Sequence, residues 1–168
     1  TILFKDLTKQ IPGFKGVYIA SVWALAGAFF FNFHYSLEWD AFSVLMFLFI
    51  FLRGIINVTF FDIKDIVSDG KMGLKTLPVI LGKDRTLKFL KALNVFGFLP
   101  LLAGVFLGII PAFALSLVIF YFYDYYYLKK ADAINARGLR MISYTLADAE
   151  FIIWPIVLIL ARVLFSGL

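Results

Sequence analysis

Apolar residues in this chain run in five long stretches, at about 17–37, 41–61, 92–110, 112–128 and, from either 142 or 151, to 165. Each is about long enough to cross a bilayer core, for which a helix needs roughly 20 apolar residues. Lipid offers the backbone no hydrogen-bond partner, so the stretches are expected to be helices. Asp148 and Glu150 precede the strongly apolar half of the last one and leave its start open. Short turns at 38–40 and around Pro111 predict two antiparallel hairpins. Pro100 and Pro155 fall inside spans and are expected to kink them, a distortion that neighbouring helices accommodate.

Composition agrees. Hydrophobic residues make up 62% of the 168 and charged residues 16%, with a mean hydropathy of +0.94. A soluble domain carries roughly a quarter charged residues. The 21 Phe and 8 Tyr leave too little to build a water-facing surface. The expected fold is all-α, a transmembrane bundle of about five spans forming a single domain over 1–168. No cysteine is present, which excludes disulfides and thiolate metal sites. The chain opens on Thr1 with no secretory signal, and further sequence is expected upstream.

Basic residues sort by side. Lys5, Lys9 and Lys15 precede the first span; Lys64, Lys71, Lys75, Lys83, Arg85, Lys88 and Lys91 follow the second; Lys129, Lys130, Arg137 and Arg140 follow the fourth. The hairpin turns have none. The positive-inside rule then predicts cytoplasmic long loops, a cytoplasmic N-terminus and an outside C-terminus. The net charge of +5 is read as topology and contact with lipid head groups, not as a nucleic-acid surface.

The candidate chemistry lies at the inner end of the second span. Asp62, Asp65 and Asp69 are spaced i, i+3, i+7, which on an ideal helix falls within about 60° of one face. Such acids repel one another and meet the negative end of the helix dipole. Lys64, Lys71 and Lys75 offset this in part, and Mg²⁺, a hard cation that takes carboxylate and phosphate oxygens, would do so better. Gly70 and Gly73 are expected to stop the helix.

Asp62-Ile-Lys-Asp65-Ile-Val-Ser-Asp69-Gly-Lys-Met-Gly-Leu-Lys-Thr-Leu-Pro-Val79-Ile-Leu-Gly82 resembles the second aspartate-rich motif of the UbiA-type intramembrane prenyltransferases. Lys9-Gln-Ile-Pro-Gly-Phe-Lys15 is similar to the start of that family's fifth helix. On this resemblance the spans correspond to helices five to nine of a nine-helix fold. The family's first aspartate-rich motif is missing from the sequence, which implies a C-terminal portion of a longer enzyme with a missing N-terminal half. The resemblance further implies Mg²⁺-dependent transfer of a polyprenyl group from its diphosphate to a small aromatic or alcohol acceptor at the membrane's cytoplasmic face. Asp65 and Asp69 are then metal ligands, with Asp62 a third ligand or an acid behind them. Lys75, and behind it Lys71, contact the diphosphate. The alternative implied is a truncated, catalytically silent family member or a non-enzymatic membrane subunit.

Other polar residues have simpler readings. Arg53 lies in a span, about 180° around an ideal helix from Asp62, and is expected to reach head groups or a neighbouring helix. Asn57 is about 140° from Asp62 and is a packing or site residue. Asp124, Asp148 and Glu150 are expected to pair with Arg137 or Arg140. The aromatic run 121–127 and Trp39 read as interfacial belt, Trp23 and Trp154 as packing, and His34 lies at the outer end away from the acids. The membrane alcohol phosphatidyltransferases also use clustered aspartates, but their Asp-Gly-x-x-Ala-Arg fails here after Asp69-Gly70.

Overall fold

The structure, a computed structural model, describes residues 2–35 and 40–165, without side-chain detail at 2, 3, 5, 30–35 and 136. Trp39 and the His34 side chain lie outside the described residues. Helices account for every regular element described: α1 (Ile2–Gln10), α2 (Phe14–Tyr35), α3 (Ala41–Ile63), α4 (Ile66–Lys71), α5 (Leu77–Leu81), α6 (Lys83–Phe96), α7 (Leu99–Phe106), a 3₁₀ segment (Ala112–Val118), α8 (Ile119–Asp132), α9 (Ala136–Ile142), a π turn (Ser143–Ala147) and α10 (Asp148–Phe165).

The α3 helix is central: its largely apolar sequence packs against α2 on one flank and against α6 and α7 on another. It starts at Asp40, whose carboxylate accepts from the Ser43 N–H at 2.8 Å. Along one flank lies α2, which presents Ala20, Ala24 and Ala28 at four-residue intervals, all buried. Small residues at that spacing let two backbones approach closely in an apolar medium. Where they cross, Gly54 faces Ala20 so tightly that a Cβ on it would come within 3.2 Å of the Ala20 Cβ.

The opposite flank of α3 meets α6, α7, α8 and α10, and two apolar cores form there. One joins Ile56, Phe60 and Ile63 to Leu87 and Leu90 of α6, Tyr127 and Leu128 of α8, and Ile142. The other joins Phe49 to Phe98, Leu101, Leu117 and Phe120, with Trp154 stacked on Phe49 at 5.3 Å. Between them, at Arg53, sits a buried ionic cluster. The guanidinium donates to Glu150 Oε1 from Nη2 (2.5 Å) and Nε (3.2 Å), to Asn94 Oδ1 from Nη1 (2.7 Å), and to the Asp124 carboxylate. Asn94 in turn donates to the Tyr121 carbonyl at 3.0 Å, and the Phe98 ring lies 4.7 Å from the guanidinium carbon. Arg53, Asp124 and Glu150 are each at most 1% exposed. The expectation that Asp124 and Glu150 pair with Arg137 or Arg140 is thus corrected: Arg53 is the group at their depth, while Arg137 and Arg140 are exposed. Asp148 is exposed as well.

Outward faces are apolar. Ile152, Ile156, Ile159, Leu160, Val163 and Leu164 on α10 are each more than half exposed, as are Trp23 on α2 and Phe106 on α7. Ions inside and hydrocarbon outside is the arrangement that suits a lipid solvent. Among the described residues, two helical stretches are long and apolar enough to cross a membrane: α3, and Lys83–Phe106, which takes α6 and α7 together. The latter begins earlier than the expected 92, because the charged stretch 83–91 is already helical. The described part of α2 that is apolar, Phe14–Phe29, is shorter. The fourth and fifth expected spans fall short for local reasons. Residues 112–118 are 3₁₀, α8 carries Asp124, Lys129, Lys130 and Asp132, and α10 carries Asp148, Glu150 and Arg162. Pro100 sits in the first turn of α7, after a turn at 97–98, where its missing N–H has no helical partner to lose. Pro155 lies inside α10, whose helix continues through it.

Replacing Arg53 with Met would leave two carboxylates dry and unpaired, a loss of about 3–5 kcal/mol for a broken buried pair. Thermal unfolding in detergent should show Arg53→Met markedly destabilised. Neutralising all three charged groups in Arg53→Met/Asp124→Asn/Glu150→Gln should recover most of that loss; a triple variant no better than the single one contradicts the account.

Candidate functional site

The acidic stretch does not continue α3 as one helix. α3 ends at Ile63, Lys64 and Asp65 form a turn (Asp65 φ −105°, ψ 9°), and α4 begins at Ile66. The chain stays close to helical there, since the Asp65 N–H bonds the Asp62 carbonyl at 3.1 Å and the Asp69 N–H bonds the Asp65 carbonyl at 2.8 Å. The turn nonetheless changes which acids face one another. Asp62 and Asp69 point to a common place and are both buried, each 4% exposed. Asp65 turns aside and pairs with Lys64, with 37% of its side chain exposed. Lys64 in turn lies over the rings of Phe61 (5.6 Å) and Tyr144 (5.4 Å). The expected single acidic face is therefore two acids inward and one outward.

The group Asp62 and Asp69 share is Lys15, from the first turn of α2. Its Nζ donates to Asp62 Oδ1 at 2.6 Å and stands 3.7 Å from Asp69 Oδ2. That Asp69 oxygen is buried and has no hydrogen-bond partner. Lys15 lies ahead of the first apolar stretch and is a quarter exposed. Burial alone would lower its pKa, but the Asp62 hydrogen bond and the charges of Asp62, Asp69 and Asp65 outweigh that and raise it above the ordinary value. The sequence placed Lys15 among the topological charges. Its lone signal there was position, a lysine two residues after Pro12-Gly13 and two before an apolar run.

Backbone ties hold Lys15 and the acids together. The Gly13 N–H bonds the Lys75 carbonyl at 2.8 Å and the Lys75 N–H bonds the Thr8 carbonyl at 3.0 Å, so the loop after α4 pairs with the end of α1 and the linker that follows it. Gly13 has φ +72°, a conformation that glycine adopts without strain. At the end of α4, Gly73 (φ +71°) closes a Schellman motif in which the Leu74 N–H reaches the Asp69 carbonyl at 3.0 Å. Gly73 is thus the stop, while Gly70 lies within α4. Lys75 is exposed and its Nζ reaches the Gln10 carbonyl at 3.4 Å. Lys71 is exposed on α4. Asn57 faces away from the acids and donates to the carbonyl of Ala147, the last residue of the π turn, at 2.9 Å.

From Asp62 an apolar crevice of about 250 Å³ runs between α2, α3 and α6. Gly13, Gly16 and Thr59 line it beside Asp62, and Ile55, Phe51 and Phe89 line it further along. Among the described residues no three His, Asp or Glu side chains stand close enough to share a metal ion. What the site offers is two hard carboxylates around one positive charge, with one of them, Asp62, lining an apolar slot. A sequence profile of the VviA prenyltransferase family matches residues 17–115, which include this site apart from Gly13, Lys15 and Gly16.

The chain belongs to that family. The membership is consistent with the UbiA-type resemblance of the aspartate motif. No curated protein and no solved structure matches the chain. For a prenyltransferase the coarse requirements are a prenyl diphosphate donor and an acceptor. Arg53 and Asn94 lie within the matched stretch, whereas the acids that pair with Arg53, Asp124 and Glu150, lie beyond it.

Gly13 is a sensitive point, because an added Cβ would be strained at φ +72° and would press Leu77 at 3.3 Å. A left-handed conformation costs a non-glycine residue about 1–2 kcal/mol. Gly13→Ala should lower the thermal midpoint accordingly and speed amide exchange at Gly13 and Lys75, whereas Gly70→Ala, within a helix and meeting the Val79 side chain at an ordinary contact of 4.0 Å, should not.

Proposed function

We propose that this prenyltransferase moves a polyprenyl group from its diphosphate to a small aromatic or alcohol acceptor inside the membrane, with Mg²⁺ held by the aspartate motif. The observation that carries this is the convergence of Asp62 and Asp69 on one positive charge where an apolar crevice opens. A donor of this class has a doubly anionic-to-trianionic head and a hydrocarbon tail. The crevice suits the tail, which gains from leaving water at about 25 cal/mol per Å².

The residues fit Mg²⁺. All donors are carboxylate oxygens, and this ion is commonly bound through one or two carboxylates together with substrate phosphates. The buried Asp69 oxygen without a hydrogen bond is an available ligand atom. Asp62 and Asp69 would be the principal ligands, with Asp65, exposed one turn away, able to join them by turning from Lys64. When bound, the ion supplies Lewis acidity to the departing pyrophosphate. Lys75 and Lys71 bring mobile point charges to the same rim for the diphosphate oxygens. Thr59 and Gly16 shape the slot beside the reacting end, and Phe51 and Phe89 exclude water further along.

The wider reading follows the same line. Five spans in one domain, with the basic loops and the acids cytoplasmic and the C-terminus outside, agree with the outward apolar faces and the sorted lysines.

The full-length protein in lipid vesicles, given geranylgeranyl diphosphate and candidate acceptors, should release pyrophosphate only with Mg²⁺ and lose it to a chelator. Asp62→Asn and Asp69→Asn should each lower turnover at least about 100-fold, the scale of losing a principal electrostatic group; Asp65→Asn should cost less. Undiminished turnover in the Asp62 and Asp69 variants would refute the assigned roles.

A further inference from the structure

The position of Lys15 raises a question that metal binding alone does not answer. Two buried carboxylates need a positive charge whether or not an ion is bound, since each is costly to leave dry and unpaired. Lys15 meets that need from a separate element, with its Nζ 2.6 Å from Asp62 and 3.7 Å from Asp69. An ion binding these same oxygens would stand against an ammonium at close range, and the two charges repel. Lys15 has room to leave. It is a quarter exposed, while the acids are nearly covered, and its four-carbon stem is flexible.

We propose that Lys15 is a resident counter-cation that competes with the divalent ion for Asp62 and Asp69, so that the site holds a bare ion weakly. This deepens the functional reading above and rests on it. A bare ion gains the carboxylates but strands the ammonium. An ion arriving with a diphosphate brings anionic oxygens that take the ammonium over. The site is thereby selective for the metal–diphosphate pair over the free metal, and the acids stay paired between turnovers.

The test is Mn²⁺ binding to the full-length protein, followed by its electron paramagnetic resonance, without substrate. The relevant component is the one abolished by Asp62→Asn and Asp69→Asn. Lys15→Met should tighten that component about ten-fold, and Lys15→Arg, which keeps the charge, should remain near wild type. Inorganic pyrophosphate should narrow the gap between Lys15→Met and wild type. Thermal unfolding gives a second readout: Lys15→Met should start less stable and gain more from Mn²⁺ than wild type does. Unchanged or weaker Mn²⁺ binding in Lys15→Met overturns the competition while leaving the metal site standing. If no component is lost in either Asp variant, the metal reading itself fails, and the competition falls with it.

Discussion

The buried guanidinium of Arg53 is the interaction around which this bundle is arranged. In an apolar medium helices gain little from burying hydrocarbon against one another, so polar contacts and close packing select the arrangement. Arg53 donates to Asp124 on α8, Glu150 on α10 and Asn94 on α6 from its place on α3, and four helices meet at one side chain. The apolar cores to either side, around Phe60 and around Phe49, are packed against helices whose depth that cluster sets. Breaking the cluster would expose no water-soluble alternative for the two acids.

The same helix carries the cluster and the site. Asp62 is nine residues beyond Arg53 on α3, about 13.5 Å along its axis. Fixing α3 against α6, α8 and α10 therefore fixes where Asp62 emerges. The other flank is set by close approach, with Gly54 against Ala20, and α2 brings Lys15 to that emergence point. Backbone bonds from Gly13 and Thr8 to Lys75 then hold the loop after α4 against the start of α2. The site is assembled from two independent restraints on one helix, one ionic and one steric.

How much of this could be read from residues alone follows from the range of each interaction. The apolar run of α3 and the stop at Gly73 are local and were legible. The break at 64–65 was not, because Ile63-Lys64-Asp65-Ile66 has neither Gly nor Pro to mark it; an unbroken helix put three acids on one face, and the turn sends Asp65 outward. The carboxylate partners of Arg53 lie 71 and 97 residues away in sequence. A charge in an apolar run announces that it needs a partner, but its depth in the bundle decides which, and the nearby exposed Arg137 and Arg140 were the simpler choice for the acids. Lys15 was hidden for a related reason. Its charge belongs equally to the pattern that orients loops, and a tertiary contact 47 residues off gives it a second role.

Among the described residues two cations, Arg53 and Lys15, each serve two carboxylates, and the difference between them lies in burial. Arg53 is held with 0% of its side chain exposed, against acids at 0% and 1%. Nothing can replace it there without crossing the packed core, and its planar fork is committed to several acceptors at once. Lys15 shows 25% of its side chain beside a crevice that Asp62 lines, and it meets its acids with a single flexible ammonium. The chemistry is alike, two acids sharing one positive charge, yet one arrangement is permanent and the other exchangeable. An enzyme that must take up and release a charged head group on each turnover needs the second kind at its site. To keep that site in register it needs the first kind in its core. The placement of a guanidinium in the dry centre and an ammonium at the open end follows that division of labour.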